Sequence, residues 1–279
     1  MDPAQETKVQ AWVNVLGAHQ VPVLRQTFRS MVDAHKRIDS INAREITQFV
    51  LHDPLMTLRV LSYLHEAVGK RQMQEITTVG NAIIMLGVNP FFRHFEKLDV
   101  IEDVLKPHPQ AMLQLIQLVK RAQVAQRWAF NWATWRYDKR AEEISVAALL
   151  HDVAEIALLC FAPQKAMEIQ ALKKANPTAR SAQIQEHVLG FHLLDLQLAL
   201  CQHWHLPELL TQLMDDAHAE NSRVKNVKLA VDLARHSANG WNDPALPDDY
   251  AAIERLLNIS HEELMSWIRP KDKEANETP

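Results

Sequence analysis

Residues 149–159 read Leu149-Leu150-His151-Asp152-Val153-Ala154-Glu155-Ile156-Ala157-Leu158-Leu159. Around them apolar residues recur at Val146, Leu149, Leu150, Val153, Ile156, Ala157 and Cys160, a spacing that predicts a buried helix. Into that helix the sequence places an adjacent His and Asp, with Glu155 one turn later. On a continuous helix the pairs Asp152/Glu155 (i,i+3) and His151/Glu155 (i,i+4) project from one side. Charge is costly to bury unless it is paired or bound to metal. The stretch therefore asks whether a metal ion or other side chains satisfy these groups.

The surrounding chain has the means to build a core. It has 279 residues, 47% of them hydrophobic, enough for one or two domains. Only 6 glycines occur and strand-like alternation is scarce, so the expected fold class is all-α. The net charge of -4 argues against a general nucleic-acid binder. The two cysteines, Cys160 and Cys201, sit in apolar helical contexts and read as buried thiols rather than a disulfide framework. The most apolar window, Ile144 to Ala162, contains Asp152 and Glu155. Each acid would cost roughly 2.5–3.5 kcal/mol near a bilayer centre, so no membrane insertion is expected. The first residues lack the pattern of a signal peptide, and the expected location is cytoplasmic.

Helix signals punctuate the chain. Residues 1–20 give an N-terminal helix carrying Trp12, Val15 and Leu16. Asp39 or Ser40 is placed to cap a helix with Ile46 and Val50 inward, and Asp53-Pro54 is a helix start. Thr78 is placed to cap the next helix and Gly87 to end it in the left-handed conformation. The polar segment 100–110, with Pro107 and Pro109, reads as a connection between two helical subdomains. A long helix is predicted over about 111–136, others over 209–218 and 225–238, and a last one after the capping box Ser260-His261-Glu262-Glu263. Asn176-Pro177 and Ser181 restart the chain, and residues 270–279 are polar and expected to be disordered.

Several of these pieces, in this order and spacing, resemble the HDOD family, the HD-related output domain of bacterial signalling proteins. The pieces are Ile46 to Leu61 with Asp53-Pro54; Ile76-Thr77-Thr78 through Ala82-Ile83 to Leu86-Gly87; Leu149 to Ala154; Glu186 and Leu189-Gly190 with His192; and Trp204 with Leu206-Pro207. Leu64-His65 departs from the Asn-Ser pair usual in the family. The resemblance implies a multi-helix bundle of two packed subdomains, about 21–105 and 106–238. The second would be HD-domain-like, and residues 239–269 would form a helical extension.

The family is similar in turn to the HD phosphohydrolases, whose metal site needs an upstream His, a His-Asp pair and a downstream Asp. The resemblance makes His151-Asp152 the pair, and puts Lys120 and Arg235 where the outer two ligands belong. Cations there repel a divalent ion. His192 and His218 fall near extra ligand positions of the HD-GYP phosphodiesterases, so a site of His151, Asp152, His192 and His218 is the metal alternative.

Other candidates carry less. Trp128, Trp132 and Trp135 lie at i, i+4 and i+7 and read as a core stripe. His203 and His205 diverge on a helix, and Asp215-Asp216 reads as an exposed turn. The expected function is a non-enzymatic regulatory module of bacterial signal transduction. It would have no cofactor, acting through a signalling protein or small-molecule partner at a degenerate HD site. The alternatives are a divalent-metal-dependent phosphohydrolase or phosphodiesterase on a nucleotide or cyclic dinucleotide, and a sensor whose phosphorylated ligand is held by Lys120 and Arg235.

Overall fold

Asp2 accepts from the Gln5 N–H at 2.8 Å while Gln5 Oε1 accepts from the Asp2 N–H at 3.3 Å. This capping box opens α1 (Pro3–Gly17), the first helix of a computed structural model that describes residues 2–68, 76–176 and 179–268. α2 (Arg25–His35) follows. Asn42, rather than Asp39 or Ser40, caps α3 (Ala43–Val50) through the Glu45 N–H. The Ser40 hydroxyl is spent on the Arg37 carbonyl at 3.1 Å, inside a turn that precedes the helix.

Asp53 opens α4 (Pro54–Val68), its Oδ1 accepting from the Leu55 and Met56 N–H groups at 2.9 and 3.3 Å. Its Oδ2 also takes the Leu24 N–H at 2.8 Å, tying the start of α2 to the start of α4. Thr78 caps α5 (Val79–Leu86). Gly87 ends α5 with φ 79° but ψ 152°, so it lies outside the left-handed helical region expected of it and turns the chain directly into α6 (Val88–His94).

The segment 100–110 is more than a polar connection. It holds a short helix, α7 (Ile101–Val104), with Ile101 and Leu105 buried. Val23 and Val100 form an isolated parallel bridge, with the Ile101 N–H donating to the Val23 carbonyl at 2.9 Å; it is the only β pairing among the described residues.

The second half is built on α8 (Pro109–Trp135), α9 (Ala141–Leu150), α10 (Val153–Phe161), α11 (Pro163–Ala175) and α12 (Ser181–Leu189). It continues through α13 (Leu193–His203), α14 (Glu208–Leu213), α15 (Ser222–His236), α16 (Leu246–Leu257) and α17 (His261–Ile268). α8, α9 and α15 pack on one another as the heart of this half, and α10 lies against α8 and α13. α1 packs across onto α13 and α10, so the N-terminal helix closes over the C-terminal half. One hydrophobic cluster runs through both halves, from Val9 to Ile268. The stretch Ala141–Phe161 is apolar and long enough to cross a membrane, but 78% of its most apolar window is buried within the protein. Pro177 and residues 270–279 lie outside the described residues.

Candidate functional site

His151 and Asp152 do not sit within a continuous helix. They form the turn between α9 and α10, with Asp152 at φ -100° and ψ 24°. The cause is Gln197 of α13, which is buried. Its Oε1 accepts the Ala154 N–H at 2.7 Å and its Nε2 donates to the Leu150 carbonyl at 3.0 Å. Those two backbone groups are i and i+4, the pair a continuous helix would join. A side chain inserted into the helix ladder kinks it. The kink, rather than helical periodicity, aims His151 and Asp152.

Both ring nitrogens of His151 are engaged. Nδ1 lies 3.0 Å from Asp152 Oδ1, and Nε2 lies 3.1 Å from Asp216 Oδ1. Asp216 comes from a 3₁₀ turn, Asp216–His218, because α14 stops at Leu213 instead of running on to His218. The turn read from sequence as exposed thus delivers a carboxylate to the site. From Asp216 the ion pairs continue to Lys228 (4.0 Å) and from Lys228 to Asp232 (2.7 Å). Arg235 links Asp232 (3.3 Å) to Asp152 (3.6 Å) and closes a ring. Asp232, one turn before Arg235 on α15, is therefore a member of the same network.

Arg121 of α8 stands outside the ring, 4.0 Å from Asp152 and 3.9 Å from Glu155, and Lys173 of α11 is 3.9 Å from Glu155. The longer of these contacts are charge pairs rather than hydrogen bonds.

The ring sets the protonation states. Burial alone pushes the His151 pKa down, but the two carboxylates outweigh it and raise the imidazole from 6.5 to about 9. Burial likewise pushes the Asp152 and Asp216 carboxyls up. Hydrogen bonds to His151 and the nearby guanidinium and ammonium charges hold both well below the usual carboxylate range. At neutral pH His151 is an imidazolium donating from both nitrogens.

Lys120 does not take the place given to it. It is exposed, and Arg121 is the α8 cation beside Asp152. Counting back four residues from Val124 reaches Lys120, whereas counting from Ala125 reaches Arg121, and Ala125 is the buried one of the two. The phase of the buried residues Leu118, Ala122 and Ala125 would have chosen Arg121. No sequence signal pointed to Asp216 or Gln197, because a 3₁₀ turn and a side chain on another helix bring them in.

His192 lines the cavity beside the pair yet is 62% exposed and faces Glu186 at 3.4 Å. His218 is 66% exposed and pairs with Asp215 at 2.9 Å. The tryptophan stripe divides: Trp132 is core, Trp128 is half-buried, and Trp135 is exposed and edge-on to Trp267. Cys160 and Cys201 are free, buried thiols, and burial pushes Cys201 up to about 12.

The sequence matches the family profile of the HDOD domain over residues 21–220. The chain belongs to the HDOD family. The matched region ends at residue 220, so the whole of α15, with Lys228, Asp232 and Arg235, follows it. Among solved structures the HDOD chain is similar in fold to the MmoQ response regulator of Methylococcus capsulatus (18% identity, 88% of this chain and 96% of that one, TM-score 0.67). It is equally similar to a virulence factor of Campylobacter jejuni (19% identity, 93% and 95%, TM-score 0.67). A third neighbour is an HDOD domain protein of unknown function from Geobacter sulfurreducens (18% identity, 94% and 93%, TM-score 0.50). No curated protein matches the sequence significantly.

The donor set of this HDOD domain does not fit a divalent metal ion. An imidazole ligates through a lone pair, and both His151 nitrogens lie against carboxylates that raise its pKa and so favour the protonated ring. Asp152 faces two guanidinium groups, which repel a dication from the same oxygens. Among the described residues no three His, Cys, Asp or Glu side chains are grouped to hold a metal.

Two cavities flank the ring. One of about 530 Å³ is lined by His151, Asp152, Asp216 and His192. A second, of about 560 Å³, lies between α8 and the end of α15, and shares Arg121, Glu155 and Arg235 with the first.

Proposed function

We propose that this HDOD domain is a non-enzymatic regulatory module of bacterial, cytoplasmic signalling. It acts by binding a signalling protein or a small molecule at the face around the His151–Asp152 pair. One observation carries the reading: both ring nitrogens of His151 lie against carboxylates, those of Asp152 and Asp216, so the residue that would begin a metal site is engaged in an ionic ring. The ring joins the α9–α10 kink, the Asp216 turn and α15, and Arg121 adds α8. A partner or ligand that competes for one member therefore shifts the packing of several helices, and this supplies a route for a signal. The structural likeness to a protein called a response regulator supports the same direction.

The test is metal content after purification with added manganese, followed by a hydrolysis screen on phosphate mono- and diesters. The expected result is substoichiometric metal and no turnover above background. One equivalent of metal, with turnover lost in His151→Ala, would overturn the proposal.

A further inference from the structure

The two cavities beside the ring differ in charge. The cavity that holds the His151–Asp152 pair is lined by as many carboxylates as cations, counting His151 as charged. The neighbouring cavity of about 560 Å³ is lined by Lys120, Arg121 and Arg235 against one carboxylate, Glu155. An anion therefore favours the second cavity over the one that houses the family pair. Its volume falls within the roughly 300–1,000 Å³ usual for small-molecule sites.

Its walls carry further chemistry. Trp128, stacked on Trp132, and Trp241 both line it and give it aromatic walls. Gln114 Oε1 is buried without a hydrogen-bond partner, and so is Arg121 Nε. Both side chains belong to this cavity, one an orphan acceptor and the other an orphan donor, two turns apart on α8. Buried polar groups are nearly always paired, so unpaired ones on a cavity wall mark where a ligand's polar atoms belong.

We infer that this second cavity, which adjoins the His–Asp chamber on the same face, is a binding site for a nucleoside monophosphate. The phosphate monoester, at about -1.5 to -2 near neutral pH, matches three cations set against one acid. The Lys120 and Arg121 cations face the phosphate, and the Gln114 side chain turns from its unpaired position to meet the base. The indoles of Trp128 and Trp241 take the base face. The inference rests on the reading of the domain as a binding module and names its ligand class. Because Arg121 and Arg235 also pair with Asp152, a phosphate that draws them loosens the ring, which links this cavity to the α9–α10 kink.

Isothermal titration of the full chain with AMP, GMP, ribose 5-phosphate and inorganic phosphate tests it. At least one nucleotide is expected to bind, with ribose 5-phosphate and phosphate at least tenfold weaker. Lys120→Gln and Gln114→Leu are each expected to weaken that binding tenfold or more. Gln114→Leu should leave the thermal midpoint of the ligand-free protein unchanged or higher, since it removes an unpaired buried acceptor. Lys139→Gln, an exposed charge loss in the loop after α8, controls for net charge and should change nothing. Silence from both nucleotides, phosphate binding as tightly as nucleotide, or binding indifferent to both cavity variants would overturn the inference. A metal-free chain that hydrolyses nothing and stays silent overturns this inference alone. Metal-dependent turnover would sink the reading beneath it.

Discussion

Asp53 and Asp152 are buried acids in the two halves of the molecule, and the protein handles them in opposite ways. Asp53 is fully buried and accepts only from neutral groups, the N–H groups of Leu24, Leu55 and Met56 and the Thr27 side chain. Burial wins there, and its pKa is raised. Asp152 keeps some exposure and faces His151, Arg121 and Arg235, and its pKa is lowered. The comparison teaches that burial alone does not set ionisation; the formal charge of the partners does. Asp53 is a structural pin joining two helix starts, whereas Asp152 belongs to a network of charged side chains.

The sharpest way to break this comparison is at the pin. Asp53→Ala strands three backbone N–H groups and is expected to cost about 4 kcal/mol in denaturant unfolding. A loss below about 1 kcal/mol would mean that the cap is not what joins α2 to α4.

The ring has its own signature in pH. The folded pKa of His151 is raised above 6.5, so its contribution is fully present below 6.5 and is lost as pH rises through about 9. The lost stability is on the order of 3 kcal/mol. The lowered Asp152 and Asp216 act in the other direction, losing their contribution only as pH falls below the usual carboxylate range. Asp53, with a raised pKa, instead favours folding more as pH falls toward 3.8. Nitrogen NMR of His151 should show both ring nitrogens protonated at neutral pH, and His151→Phe should abolish the alkaline loss. A His151 titration near 6.5 would end the ionic-ring account.

A smaller effect is expected at the kink. Gln197→Leu removes one donor and one acceptor from backbone groups that face each other across the break, at about 2 kcal/mol. Amide exchange at Ala154 should speed up in step, and unchanged exchange would count against the bridging role. The smallest effect has the opposite sign. Asn226 is fully buried with neither amide atom hydrogen-bonded, so Asn226→Leu is expected to gain about 1 kcal/mol in thermal unfolding.

How legible the molecule was in its sequence can be followed residue by residue. Asp53-Pro54, Thr78 and Ser260 were readable as helix starts because a cap acts on N–H groups within three residues of itself. Lys120 was misplaced by one residue because two adjacent apolar residues left the phase of α8 open, and only the burial of Ala125 chose Arg121. The helix through His151 and Asp152 was read as unbroken because the break is made by Gln197, 43 residues further along the chain from Ala154.

By itself, then, the sequence determined most of the helices and several of their caps, the apolar faces that build one core and the membership in a family. These depend on neighbours within one or two turns, where side-chain spacing is already geometry. The tertiary structure alone decided what surrounds the His–Asp pair: Gln197 in the ladder, Asp216 on the second nitrogen, Arg121 and Arg235 on the carboxylate. Those partners come from four different elements. Electrostatic interaction depends on distance through space, and the linear order of residues does not record that distance.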